Sequence, residues 1–336
     1  MAATIVSGTT AACRTSTTLC TLVIIAILVS SLVPQSYSVP YPKSPLPPPP
    51  RRPSTPTICS SPPSTGAAYG QIPGVDIDTI EFPLNVEFLE TELFMVGATG
   101  KGLDDVAPEL AQGGPAPIPP DMANLDPEFA ELFEEFAWQE VDHLRPQTNL
   151  SAAVFAEIMN QAFGYPLNPP FNPFANNVNF LIASNFIPYI GGTGYVGGNV
   201  NLQGPASRRL VGGLMAVEWS QDAIIRELLN QRKNTVVKPY NYTVTDFTVK
   251  MSELRNRLGG AGDKDEGLVV PKEQGAGGQV TSNVVSANNV SIAYDRSAAE
   301  VLRILYLIGK ENRPGGFLTY GGNGNIAQRF LKKKSA

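Results

Sequence analysis

The stretch WQEVDHLR, residues 138–145, holds the only histidine of a 336-residue chain, His143, three positions after Glu140. Upstream, Phe129, Phe133 and Phe136 lead into Glu140 and His143 with the alternating spacing 4, 3, 4, 3. That spacing is one face of an α-helix, and an apolar face of this kind turns toward a core. The two polar residues continue the buried line instead of facing solvent.

A second run repeats the pattern: Val211, Leu214, Glu218, Gln221, Ile225 and Leu228 share a face, again with an acid and a polar residue three apart. Burying a carboxylate without partners costs several kcal/mol. Two helices doing so in the same way point to a shared counter-charge, and a metal ion is the simplest one. Residues at i and i+3 project from one helix face, so Glu140 and His143 can ligate together. Carboxylate oxygen and neutral imidazole suit iron, manganese or zinc. A hydrogen-bonded network of Glu140, His143, Glu218 and Gln221 without metal answers the same observation. A further helix over 78–100 adds acids, of which Glu87 and Glu90 share a face one turn apart while Glu92 points away. Periodicity does not choose between Glu87 and Glu90, because this helix is apolar nearly all round.

Working outward, Asp126-Pro127-Glu128 is an N-terminal signature that opens the histidine-bearing helix, which is expected to run to about Leu144. A short helix at 151–163, the proline-broken crossover PLNPPFNPF, a helix at 174–187 ending near Pro188 and a helix at 206–232 follow. Four main helices with one long connection form a bundle pattern. The segment GGTGYVGGNVNLQG between the last two reads as a glycine-rich loop. Its G-x-G-x-x-G, Gly192 to Gly197, lacks the preceding strand and following helix that dinucleotide binding requires. Past 235 the chain reads as a helix at 243–259, β-prone pieces at 267–294, a helix at 297–309 and an irregular glycine-rich end. The fold class is therefore mainly α, a four-helix bundle with a mixed C-terminal extension.

Net charge is −5 and the pI about 5.1, which argues against nucleic-acid partners. Residues 1–38 read as a secretory signal: TLVIIAILVSSLV is apolar, and Ser36 and Ser38 place small residues before a cut after Ser38. The apolar run is shorter than the ~20 residues a spanning helix needs, so no stable membrane span is expected after cleavage. Residues 39–74 are proline-rich and expected to be a disordered linker, extended where prolines cluster, suited to cell-wall association. Cys13 and Cys20 fall in the signal, leaving Cys59 with no internal disulfide partner. The sequons at Asn149, Asn241 and Asn289 are candidate glycosylation sites and agree with a secreted, extracellular or wall location. A catalytic triad has only His143 as its base and is not expected.

Several long stretches resemble the plant desiccation-related proteins with a ferritin-like domain: EFPLNVEFLETELFMVGATGKGLDDVAPELAQGG, FAWQEVDHLR, FGYPLNPPFNPFANNVNFLIAS, PYIGGTGYVGG, LQGPASRRLVGGLMAVEWSQDAIIRELL, MSELRNRLGG and KDEGLVVPKEQGA, together covering about residues 75–330. The resemblance implies a ferritin-like bundle at 75–235 with residues 236–336 packed on it. It implies metal ligands at Glu87, Glu140, His143 and Glu218; the aromatic seven residues after Glu87, Phe94, agrees with that register. Glu90 is a possible additional ligand. Gln221 stands where di-iron oxidases carry a second histidine and ferritins a glutamine. The chain departs from the family pattern in having no Asp or Glu between Glu157 and Glu218, so the third helix offers Asn176, Asn177 and Asn179 instead. The expectation is a secreted, stress-related protein holding one or two iron or manganese ions, without established catalysis. The alternatives are a metal-dependent oxidoreductase, ferroxidase or catalase-like, and a non-catalytic bundle with a vestigial site.

Overall fold

The computed structural model describes residues 71–111, 113–140 and 146–332. The expected signal, the linker up to residue 70, Cys59 and His143 lie outside them. Every regular element of the described residues is a helix, as the periodicities predict, and none of these helices is long and apolar enough to cross a membrane.

Helix α1, Gly74–Glu81, is separated by Pro83 from α2, Leu84–Thr99, where a single helix is expected over 78–100. The Asp76 carboxylate accepts from the Gln203 and Gly204 amides at 2.9 and 2.8 Å, tying α1 to the start of a later helix. From Leu84 to Ala98 every residue of α2 is buried, so it forms the central rod of the bundle. Gly100, left-handed at φ 73°, ends it. The one-turn α3, Leu103–Val106, follows, and the buried Glu92 accepts from its first amide, Leu103 N, at 3.3 Å, away from the face that carries Glu87.

Helix α4, Pro127–Gln139, packs along α2. Phe94, Phe133 and Phe136 stack between the two, with ring centroids 5.2 to 6.0 Å apart, and Phe180 meets Phe133 edge-on at 4.7 Å. The helix stops short of the expected Leu144: Glu140 is its C-cap, at φ −98° and ψ 10°. Helix α5, Ala152–Phe163, lies in the long connection.

The third arm of the bundle is broken. Helix α6, Asn177–Ser184, is capped by the Asn176 side chain, and α7, Pro188–Asn199, restarts at the proline expected to end the arm. Proline lacks an N–H and suits a first helical position, so Pro188 interrupts one helix and begins another. The segment expected to be a glycine-rich loop is thus mostly helical. Gly191 and Gly192 of this segment face α8, Pro205–Asn230, the fourth arm.

The extension is also more helical than expected. Helix α9, Val244–Gly259, opens with a Thr243–Asp246 capping box and packs on α5, α6 and α8. Helix α10, Ala298–Leu305, opens with a Ser297–Glu300 box, and α11, Gly324–Lys332, occupies the expected irregular end. The β-prone pieces at 267–294 form only an isolated bridge, Val269 to Ser282, among the described residues.

A buried ionic seam joins extension to bundle. Arg255 of α9 pairs with Asp265, and its Nη1 donates to the Asn185 and Phe186 carbonyls at 2.9 and 3.4 Å. Those carbonyls lie in the α6–α7 break and have lost their helical partners. Arg226 of α8 donates in turn to Val284 O at 3.0 Å and to Gly267 O at 3.3 Å. Both guanidinium groups lie over the Tyr189 ring, at 5.8 Å for Arg226 and 4.8 Å for Arg255.

Replacing Arg255 with Met takes the nearer of two guanidinium groups from buried Asp265, leaving Arg296 at 3.7 Å, and strips the Asn185 and Phe186 carbonyls of their donor. Chemical denaturation of Arg255→Met is expected to show a loss of about 3–5 kcal/mol; a change within a few tenths of a kcal/mol would contradict the role given to this pair.

Candidate metal centre

Three helices deliver four glutamates to one point in the core. Glu87 and Glu90 come from α2, Glu140 from the end of α4 and Glu218 from the middle of α8. One carboxylate oxygen from each lies within 4.8 Å of the others. Exposures are 6% for Glu87, 0% for Glu90, 5% for Glu140 and 1% for Glu218, so bulk water does not screen them.

The neighbours divide the four into two pairs. Glu87 accepts from the Tyr195 hydroxyl of α7, and Glu140 accepts from the Gln221 amide of α8. The same amide nitrogen donates to Gln139 Oε1 at 3.1 Å. Thr91 fixes the end of α4 from behind, donating its hydroxyl to the Glu140 carbonyl at 3.0 Å and to the Glu87 carbonyl at 2.9 Å. Glu90 and Glu218 have no such support. Apart from each other's carboxyl, no donor among the described residues reaches any of their four oxygens.

The electrostatics follow from this arrangement. Burial pushes Glu90 well above the ordinary carboxylate range, and the charges of Glu140 and Glu87 push it further. Burial does the same to Glu140 with the charge of Glu87, and to Glu218 with the charges of Glu90 and Glu87. Tyr195 is raised by burial and by Glu87, so its hydroxyl keeps its proton and remains a donor. One turn past Glu218, burial raises Asp222 to about 6 against the pull of Arg226 and Arg255.

These residues fit a cation. A dry pocket of carboxylates in mutual repulsion, two of them with only each other to bond, gains stability from a positive ion placed between them. The donor set is oxygen-rich and suits hard or borderline ions such as manganese and iron.

Of the residues singled out in the sequence, the structure brings together Glu87, Glu90, Glu140 and Glu218. It sets Gln221 beside them as a donor to Glu140 and turns Glu92 away. His143 lies outside the described residues, and Asn176, Asn177 and Asn179 serve the start of α6 and its neighbours. Tyr195 escaped sequence reasoning because its segment reads as a loop. The signal that could have found it is the run after Pro188, where Tyr189, Ile190, Thr193 and Tyr195 are buried while the glycines permit close packing.

A family model described as a ferritin-like domain matches residues 75–231. The ferritin-like catalase Nec2 of Nesocodon mauritianus is 52% identical over 267 residues, 76% of this chain and 86% of that protein. The desiccation-related protein PCC13-62 of Craterostigma plantagineum is 46% identical over 258 residues, 74% of this chain and 82% of that protein. No solved structure gives a significant match.

The raised carboxyls make a pH prediction for the metal-free protein. Native Glu90 holds a proton that the unfolded chain releases as pH rises past 4.5, its ordinary value. Its contribution to stability is therefore full below that pH and is lost as pH rises through the raised native value. Denaturation midpoints of the wild type, compared with Glu90→Gln, are expected to fall with rising pH; a difference that stays flat or grows contradicts the electrostatic account.

Proposed function

Because the chain belongs to the plant desiccation-related group of ferritin-like proteins, we propose that it is a stress-related protein that holds one or two iron or manganese ions at Glu87, Glu90, Glu140 and Glu218. The observation that carries this reading is the pair Glu90 and Glu218, whose buried carboxyls have only each other to bond among the described residues. Tyr195 and Gln221 orient Glu87 and Glu140 by donating to them. When bound, iron or manganese supplies one-electron redox chemistry in a pocket from which the packed helices exclude bulk water.

A second reading, peroxide disproportionation, is favoured by the 52% identity to a relative named a ferritin-like catalase, 86% of whose length the chain covers. It converts two hydrogen peroxide molecules into two waters and one dioxygen, with no other reductant or oxidant. Only a small substrate of this kind suits a site whose four acids are all buried.

The proposal also carries the location. Residues 1–38 are a secretory signal removed after Ser38, and the proline-rich segment reaches the cell wall. Asn241 and Asn289 are exposed and offer accessible glycan acceptors. Asn149 is half-buried, and its Oδ1 accepts from Ser151 N and Oγ at 3.2 and 2.8 Å. The acidic chain has no nucleic-acid role.

Elemental analysis of protein purified from a secretory host without chelator is expected to find about one or two iron or manganese ions per chain, lost in Glu218→Ala. Dioxygen release from hydrogen peroxide by the loaded wild type, absent in Glu218→Ala, supports the second reading. No bound metal after anaerobic loading with iron and manganese would leave a vestigial site in a structural bundle. On the same sample, N-terminal sequencing should begin at Val39 and glycans should be found on Asn241 and Asn289; an unprocessed, unmodified chain overturns the secretory reading.

A further inference from the structure

Resting on the metal-binding reading, we propose that Gly191 of α7 is a positioning residue of the site: the space its side chain would fill is the space the Glu218 carboxylate occupies, and Glu90 supplies the acid that the third arm lacks.

The third arm has no acid to give, because no Asp or Glu occurs between Glu157 and Glu218. Position 191 nevertheless faces the site. A Cβ built there would lie 1.8 Å from Glu218 Oε1, 2.8 Å from Glu218 Cδ and 3.3 Å from Val86 Cγ1. Any other residue therefore displaces the Glu218 carboxylate from its present position. Gly192 does the same for the next residue along α8: a Cβ there would lie 2.9 Å from the Trp219 ring. Two successive glycines on α7 thus seat two successive side chains of α8.

Backbone geometry does not call for glycine at 191, which lies inside a helix with a negative φ that any residue adopts. Glycine is disfavoured there relative to alanine. Its presence is accounted for by the close approach of a carboxylate. Gly198 on the same helix differs, since its nearest foreign neighbour, Thr79 Cγ2, is at an ordinary 3.6 Å.

The missing acid is replaced from across the bundle. Glu90 lies one turn from Glu87 on α2, is fully buried, and bonds no group but the Glu218 carboxyl among the described residues. Two of the four carboxylates then come from one helix and shift together, while Glu218 is set separately by the α7 surface. The site exchanges a third-arm acid for a second first-arm acid plus a glycine that clears room beside Glu218.

The test is equilibrium titration with manganous ion of the full chain and three variants, with far-UV circular dichroism and metal-free denaturation alongside. Gly191→Ala is expected to bind manganese roughly 10–100-fold more weakly, with helix content retained. Gly198→Ala is expected to bind as the wild type does, and Glu90→Gln to lose affinity to a similar degree. Wild-type affinity in Gly191→Ala or in Glu90→Gln overturns the inference while leaving the metal reading intact. A wild type that takes no manganese overturns the metal reading and the inference with it. If Gly191→Ala does not fold, Gly191→Ala combined with Glu218→Asp withdraws the carboxylate by one methylene. Recovery of folding and binding then supports the inference, and no recovery overturns it.

Discussion

Four carboxylates in a dry core repel one another, and the rest of the molecule is arranged around that repulsion. Glu87, Glu90, Glu140 and Glu218 bring oxygens within 4.8 Å of each other, and the buried arginines, Arg226, Arg255 and Arg296, are engaged elsewhere in the seam. In the metal-free state protons relieve the repulsion, and burial first and then this repulsion raise the carboxyl groups of Glu90, Glu140 and Glu218. A bound cation relieves it with a fixed charge in place of protons. Tyr195 and Gln221 hold two of the acids in place, and the other two have only each other.

Holding this cluster requires walls that do not yield. On one side α2 is buried along its whole length, and the Phe94, Phe133 and Phe136 stack locks it to α4. On the other, α7 must approach α8 closely enough to touch Glu218 and must present Tyr195 to Glu87. A straight third arm is prevented by Pro188. The bend exposes carbonyls in the core, where an unsatisfied backbone group is costly. Arg255 satisfies two of them. The ionic seam is thus the counterpart of the bend, and the bend delivers α7 to the site.

Much of this was legible from single positions, and the illegible parts share a cause. Glu140 and Glu218 interrupt apolar stripes of helical spacing, so their burial follows from the period alone. Glu90 could not be chosen over Glu87, because a helix buried on every side has no period from which to read a face. Residues 188–199 contain five glycines and read locally as a loop. Their helical state depends on the side chains of Glu218 and Trp219 packed against them, which is not local information. The β-prone pieces at 267–294 form one isolated bridge with a short 3-10 turn at Ala276–Gly278 between its ends, because no neighbouring strand among the described residues is there to extend a ladder. Local propensity failed where close tertiary contact decided the outcome.

The arginine that serves the bent third arm comes from outside the stretch that the ferritin-like domain model matches. The family match ends at residue 231, while Arg255 and its partner Asp265 lie beyond it. The ferritin-like segment is therefore not a transferable module in this protein. Cut at the family boundary, it would retain all four glutamates yet lose the donor that satisfies the carbonyls at the bend. The border of the ferritin-like match runs through the middle of a single mechanical unit.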